Sequence, residues 1–142
     1  TPSNSSAASD VYKRQVKIRG RFYPLIPITV HGLKNSIHTY ALINSSSIIS
    51  LFPKAIAEVS GVDLSYAEEV YLPSVDGYVK TKIATIQITI EHANFSAKIP
   101  VAFVEHMESS LPIIGRQGFF KHFEIVFRDQ KHELELRSLR SR

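Results

Sequence analysis

Apolar residues along much of this chain recur with a period of two, and turn-forming residues separate the runs. Ile86, Ile88 and Ile90 alternate with Gln87 and Thr89, and Phe95, Ala97 and Ile99 alternate with Ser96 and Lys98. That spacing places one face of an extended strand in a core and the other in water. The run Phe22 to Val30 carries Pro24 and Pro27. Proline donates nothing to a strand ladder, so this run predicts an edge or opening strand. His31-Gly32-Leu33-Lys34-Asn35 then closes a hairpin onto Ser36 to Ile43. Pro53 fits the first position of a short helix through Ser60, with Gly61 just past its end. Glu69 to Leu72 and Gly77 to Ile90 read as two arms of a long hairpin. Phe123 to Phe127 and Glu133 to Leu136 read as a final hairpin about the turn Arg128-Asp129-Gln130-Lys131. Many short strands with one or two short helices and no internal repeat predict an all-β, barrel-like domain.

Composition narrows the classes. At 142 residues the chain is one domain by size, and 44% hydrophobic content is ordinary for a globular protein. Residues 1–15 are small and polar with no apolar periodicity before Val11. They are read as a disordered or artefactual leader, leaving residues 16–142 as the domain. No apolar run approaches the ~20 residues of a membrane helix, so no membrane partner is expected. Zero cysteines exclude a disulfide framework, a thiol nucleophile and a cysteine zinc site. A cytoplasmic location is the expectation.

The net charge of +4 is spread thinly. Lys17, Arg19 and Arg21 near the start, with Arg137, Arg140 and Arg142 at the finish, read as a solvated fringe. No aromatic stacking platform interleaves with them, so no nucleic acid is expected. His31, His38, His92, His106, His122 and His132 show no H-E-x-x-H or paired helical spacing and read as surface or packing residues. Neither a metal nor another cofactor is expected. Nucleophile-elbow and phosphate-loop signatures are absent from the sequence.

Two segments carry the candidate chemistry. In Ala41-Leu42-Ile43-Asn44-Ser45-Ser46-Ser47-Ile48-Ile49-Ser50-Leu51-Phe52-Pro53, an apolar strand runs into a turn of small polar residues and then a second apolar run. About seventy residues on stands Leu111-Pro112-Ile113-Ile114-Gly115-Arg116-Gln117-Gly118-Phe119-Phe120. Between them, Val75-Asp76-Gly77-Tyr78 centres a hairpin on a glycine.

In order and spacing these segments resemble the retropepsin-like aspartic proteases, the single-domain family of retroviruses with cellular and bacterial relatives. The first is similar to the family's apolar-apolar-Asp-Thr-Gly-Ala segment, with Asn44-Ser45-Ser46 where the family has Asp-Thr-Gly. The second, Ile113-Ile114-Gly115-Arg116, is similar to its apolar-apolar-Gly-Arg segment, and the continuation through Phe127 is similar to bacterial members in particular. The resemblance covers roughly residues 21 to 137. It implies a flap at Val75, Asp76, Gly77 and Tyr78 contacting substrate, a side chain at Arg116 that anchors the second motif, and a homodimer. Family members with one motif per chain build the active site between two subunits.

The resemblance makes position 44 decisive. Aspartic proteases work with two carboxylates sharing one proton, one acting as base on the attacking water. The carboxamide of Asn44 can hydrogen-bond a water or a peptide carbonyl but cannot accept the water's proton. Ser45 keeps the hydroxyl with which the family's threonine braces the two active-site turns. Ser46 adds a side chain where the family's glycine lets substrate approach. Two readings follow. One is a catalytically silent, dimeric peptide-binding or structural module. The other is an aspartic endopeptidase, active or latent, whose activity persists in some form, for example after deamidation at Asn44-Ser45, or whose true sequence carries aspartate at position 44.

Overall fold

A computed structural model describes residues 11–13, 15–107 and 111–139. The strands are β1 (Val11–Lys13), β2 (Val16–Ile18), β3 (Arg21–Tyr23), β4 (Leu25–His31), β5 (Ser36–Ile43), β6 (Ser50–Pro53), β7 (Glu68–Ser74), β8 (Gly77–Ile90), β9 (Phe95–Val104), β10 (Ile113–Ile114), β11 (Phe123–Arg128) and β12 (Glu133–Ser138). A single α-helix among the described residues, α1 (Lys54–Ser60), follows β6. Pro53 caps it from outside, with φ −59° and ψ 138°, one position earlier than the sequence predicts. Gly61 ends it, its N–H donating to the carbonyl of Ala57 at 2.9 Å.

The main sheet runs β4-β5-β10-β6-β9-β8-β7, and β4 also pairs with β8. Six strands therefore form a closed circuit, with β7 attached outside it as the second arm of the β7–β8 hairpin. Closure of this kind leaves few free edges. Within it β10 is parallel to β5 and β6 is parallel to β9, while the other ladders are antiparallel. The core between the strands takes Ile26, Val30, Phe52, Ile88, Ile90, Ile99, Ile114 and Phe119, all essentially inaccessible to water. Phe119 packs with Phe95 and Phe123, at ring-centre distances of 5.6 and 4.9 Å. A second, three-stranded sheet runs β1-β12-β11.

The domain is all-β, as the alternation predicts, with two corrections. The run Phe22 to Val30 is not one edge strand. It breaks at Pro24, and beyond the break Thr29, Val30 and His31 of β4 pair with Thr89, Ile88 and Gln87 of β8. Pro27 lies outside that paired stretch, on the part of β4 whose second edge needs no donor.

The leader reading also fails at its C-terminal end. Val11–Lys13 pairs with Arg137, Leu136 and Glu135 of β12. Gln15 is buried, its backbone N–H on the carbonyl of His132 and its Nε2 on that of Glu133. Pairing with a distant strand gives this segment a place that local composition does not announce. Residues 1–10 lie outside the described residues.

Candidate functional site

Strand β5 ends at Ile43 and hands the chain to the turn Asn44–Ser47, which closes with Ser47 N–H on the carbonyl of Asn44 at 3.3 Å. The second motif lies directly against it. Leu42 N–H donates to the carbonyl of Pro112 at 2.9 Å, and Asn44 N–H to that of Ile114 at 3.0 Å. Beyond β10 the sense of donation reverses. Arg116 N–H reaches the carbonyl of Ser47 at 2.9 Å and Gln117 N–H that of Ile48 at 2.8 Å. Between these bonds sits Gly115, whose N–H donates to the buried hydroxyl of Ser50 at 3.0 Å. A methyl at Gly115 would stand 2.5 Å from the carbonyl oxygen of Ile49 and 2.7 Å from that of Ser47. Glycine is required here because two backbones touch, not because φ is positive.

Inside the turn, the carboxamide oxygen of Asn44 accepts the backbone N–H of Ser46 at 3.0 Å and its hydroxyl at 2.6 Å. An N–H can donate only to the oxygen, so these bonds fix which end of the amide faces inward. What Asn44 has left to offer outward is its NH₂, a donor. The Ser47 hydroxyl is likewise spent, donating to the carbonyl of Ile49 at 2.7 Å. Ser45 and Ser46 are exposed. No residue from 44 to 47 takes a positive φ. Serine therefore fits position 46 without backbone strain, and its hydroxyl is turned back onto Asn44.

The hairpin tip is the pair Val75–Asp76 between Ser74 and Gly77, which face each other in the ladder. Gly77 takes φ 121°, a conformation that side chains resist. Val75 and Tyr78 stand largely in solvent. Cross-strand register puts Leu72 opposite Val79 and Val70 opposite Thr81. A cleft of about 500 Å³ lies between the hairpin arms and the turn. Ser46, Ile48, Ile49 and Leu51 line one side, Leu72, Pro73, Ser74, Val79 and Thr81 another, and Val104, His106 and Met107 complete it. Among the described residues its lining holds no carboxylate, and His106 is its one imidazole.

The structure thus joins Asn44, Ser45 and Ser46 to Ile113, Ile114, Gly115 and Arg116, and sets the arms of the hairpin on the cleft that Ser46 also lines. The tip residues Val75, Asp76, Gly77 and Tyr78 are not among the cleft's lining residues. One expectation is corrected. Arg116 is exposed, and among the described residues its guanidinium makes no ion pair or hydrogen bond; its backbone N–H does the anchoring. Leu72, Val79, His106 and Met107 escaped the sequence reading. Leu72 and Val79 were within reach of it, since the hairpin register about Gly77 pairs them on one face. Among the described residues no group of three or more His, Asp or Glu is placed to hold a metal ion.

No family model matches the chain, and no curated protein does. Among solved structures, it is similar to a retropepsin-like aspartic protease from Rickettsia conorii, with a TM-score of 0.66 and 14% sequence identity over 89% of this chain and 98% of that one. The fold is therefore retropepsin-like.

Proposed function

We propose that this protein is a retropepsin-like aspartic endopeptidase domain whose catalytic position is filled by Asn44, and that it acts as a homodimeric module binding an extended peptide. The observation that carries the reading is the docking of the Asn44–Ser47 turn onto Ile114–Gly115 beside a mostly apolar cleft. On this reading the residue at 44 holds the position of a reacting group, and it is a carboxamide. A positioned general base contributes typically 10²–10⁴-fold, and a symmetric pair of asparagines lacks both carboxylates. Peptide binding survives this loss, because strand addition draws on main-chain hydrogen bonds and side-chain pockets. A cytoplasmic location belongs to the same reading, on the absence of cysteine.

The second reading, a latent endopeptidase, is supported by the backbone of the turn, which accepts serine at 45 and 46 without a positive φ. Fluorescent peptides with apolar side chains separate the two. The first reading expects saturable binding without cleavage between pH 4 and 7, and twice the chain mass in sedimentation. Robust cleavage by chain verified by mass to carry Asn44 overturns it, and a strictly monomeric folded protein overturns the shared site.

A further inference from the structure

The described part of the chain contains the dipeptide Asn-Ser twice, at Asn35-Ser36 and Asn44-Ser45, and the fold treats the two carboxamides in opposite ways. At Asn35 the bound atom is the nitrogen. Its Nδ2 donates to the carbonyl of Val59 at 2.9 Å, and among the described residues no donor reaches its oxygen. At Asn44 the bound atom is the oxygen, held by the N–H and the hydroxyl of Ser46 at 3.0 and 2.6 Å. Its Nδ2 makes no hydrogen bond among the described residues, and neither does the backbone N–H of the exposed Ser45. Ser36, by contrast, enters the β4–β5 ladder opposite His31.

Two donors fixed on a carbonyl oxygen stabilise the charge that gathers there when the carbon is attacked, as an oxyanion hole does. We infer that Asn44 is a deamidation site of the folded chain, and that Ser46 is the residue that activates its carboxamide. The Ser45 nitrogen bonds to Cγ of Asn44 and releases its proton to solvent. The bond from Cγ to Nδ2 then breaks, and the nitrogen takes a proton from water and leaves as ammonia. Water opens the resulting five-membered imide at one carbonyl or the other, giving aspartate or isoaspartate at position 44. The net change is carboxamide plus water to carboxylate plus ammonium, with no oxidant or reductant. Among the described residues Nδ2 of Asn44, the leaving group, carries no hydrogen bond, whereas at Asn35 that atom is tied to Val59 and the oxygen is unassisted. Conversion to aspartate installs the carboxylate that the turn lacks. Only this consequence rests on reading position 44 as catalytic.

The test keeps the full chain in mildly alkaline buffer and follows both asparagines by peptide mapping with mass spectrometry that resolves aspartate from isoaspartate. Asn44 is expected to convert at least about fivefold faster than Asn35 in the same molecules, a modest share of what a full oxyanion hole delivers. Ser46→Ala slows Asn44 several-fold, and Ser45→Pro, which removes the attacking N–H, stops it. Asn35 keeps its rate in both variants, which shows that the fold is intact. Equal rates at Asn44 and Asn35, or an Asn44 rate untouched by Ser46→Ala, overturn the inference. Cleavage of peptides by the converted, purified aspartate form is measured separately. Conversion without cleavage leaves the modification standing and counts against the catalytic reading of position 44.

Discussion

The backbone N–H of Gly115 donates to the hydroxyl of Ser50 at 3.0 Å, a bond buried from water that joins positions 65 residues apart. It is the point at which the two motifs interlock, since Ser50 opens β6 and Gly115 follows β10. Ser50→Ala removes the acceptor and leaves a buried N–H unsatisfied, at a cost of about 1–3 kcal/mol. For a domain of this size that corresponds to a fall in Tm of roughly 2–4 °C per kcal/mol. Thermal unfolding of Ser50→Ala checks it, and Ser50→Thr, which keeps a hydroxyl, is expected to lose less.

Gly115→Ala tests the same interlock by volume. The added methyl meets backbone atoms of Ile49 and Ser47, which cannot rotate away as a side chain would. Overpacking of this kind costs typically 1–3 kcal/mol, and here it acts by pushing the turn off β10. The expected outcome is a lower Tm together with weakening of the proposed peptide binding. A stability loss with binding unchanged would show that the turn tolerates the shift.

The parts of this architecture legible in the sequence are those with local signals. Gly77 between two alternating runs gives the β7–β8 hairpin, and Gly61 gives the end of α1. Strand β10 is two residues long and pairs in parallel with Leu42 and Ile43, so no period exists for a sequence to show; only the resemblance located it. Val11–Lys13 gains its place by pairing with β12, which no property of a three-residue segment announces. Arg137, read as part of a solvated fringe, instead bonds Glu135 and Glu124. Position 44 itself was plain from the motif. The capture of its oxygen by Ser46 depends on the turn geometry and was not.

Glu135 supplies a pH test. It is nearly inaccessible to water in β12, between Leu134 and Leu136, which face the core. Its two oxygens accept Arg128 Nη1 at 2.6 Å and Arg137 Nη2 at 2.7 Å. Hydrogen bonding to Arg128, then to Arg137, holds its carboxyl below the ordinary value of 4.5 despite burial. A depressed folded pKa means the unfolded chain takes up the proton first as pH falls. The stabilisation is therefore complete above about pH 4.5 and is lost as pH drops through the folded value. Glu135→Gln removes the charge that both arginines bond, leaving them Glu133 and Glu124, at a cost of about 1–3 kcal/mol at neutral pH, discounted for the exposure of the two guanidinium groups. Urea unfolding at pH 7 and pH 3 should show a smaller acid loss in the variant than in the native chain. Parallel losses would mean that Glu135 does not drive the acid sensitivity.

Restoring a carboxylate tests the site most directly, and the Ser46 bonds decide at what pH. In Asn44→Asp the new carboxylate inherits the N–H and hydroxyl of Ser46 as donors. Donors to the charged form lower a carboxyl pKa, so the pair of aspartates in the proposed dimer would share its proton at lower pH than it otherwise would. Asn44→Asp with Ser46→Gly loses the hydroxyl and keeps the N–H, and its pKa rises. The Ser46 hydroxyl is turned back onto position 44, so on the proposed reading the single variant is expected to cleave apolar peptides and to be blocked by pepstatin. The double variant should work over a range displaced to higher pH. The measurement is kcat/KM against pH for both, alongside the native chain, which the proposed function expects to be silent. Identical profiles would show that the Ser46 hydroxyl does not reach the carboxylate in the proposed dimer, and silence from both would count against catalysis by the turn alone, favouring a purely binding or structural role.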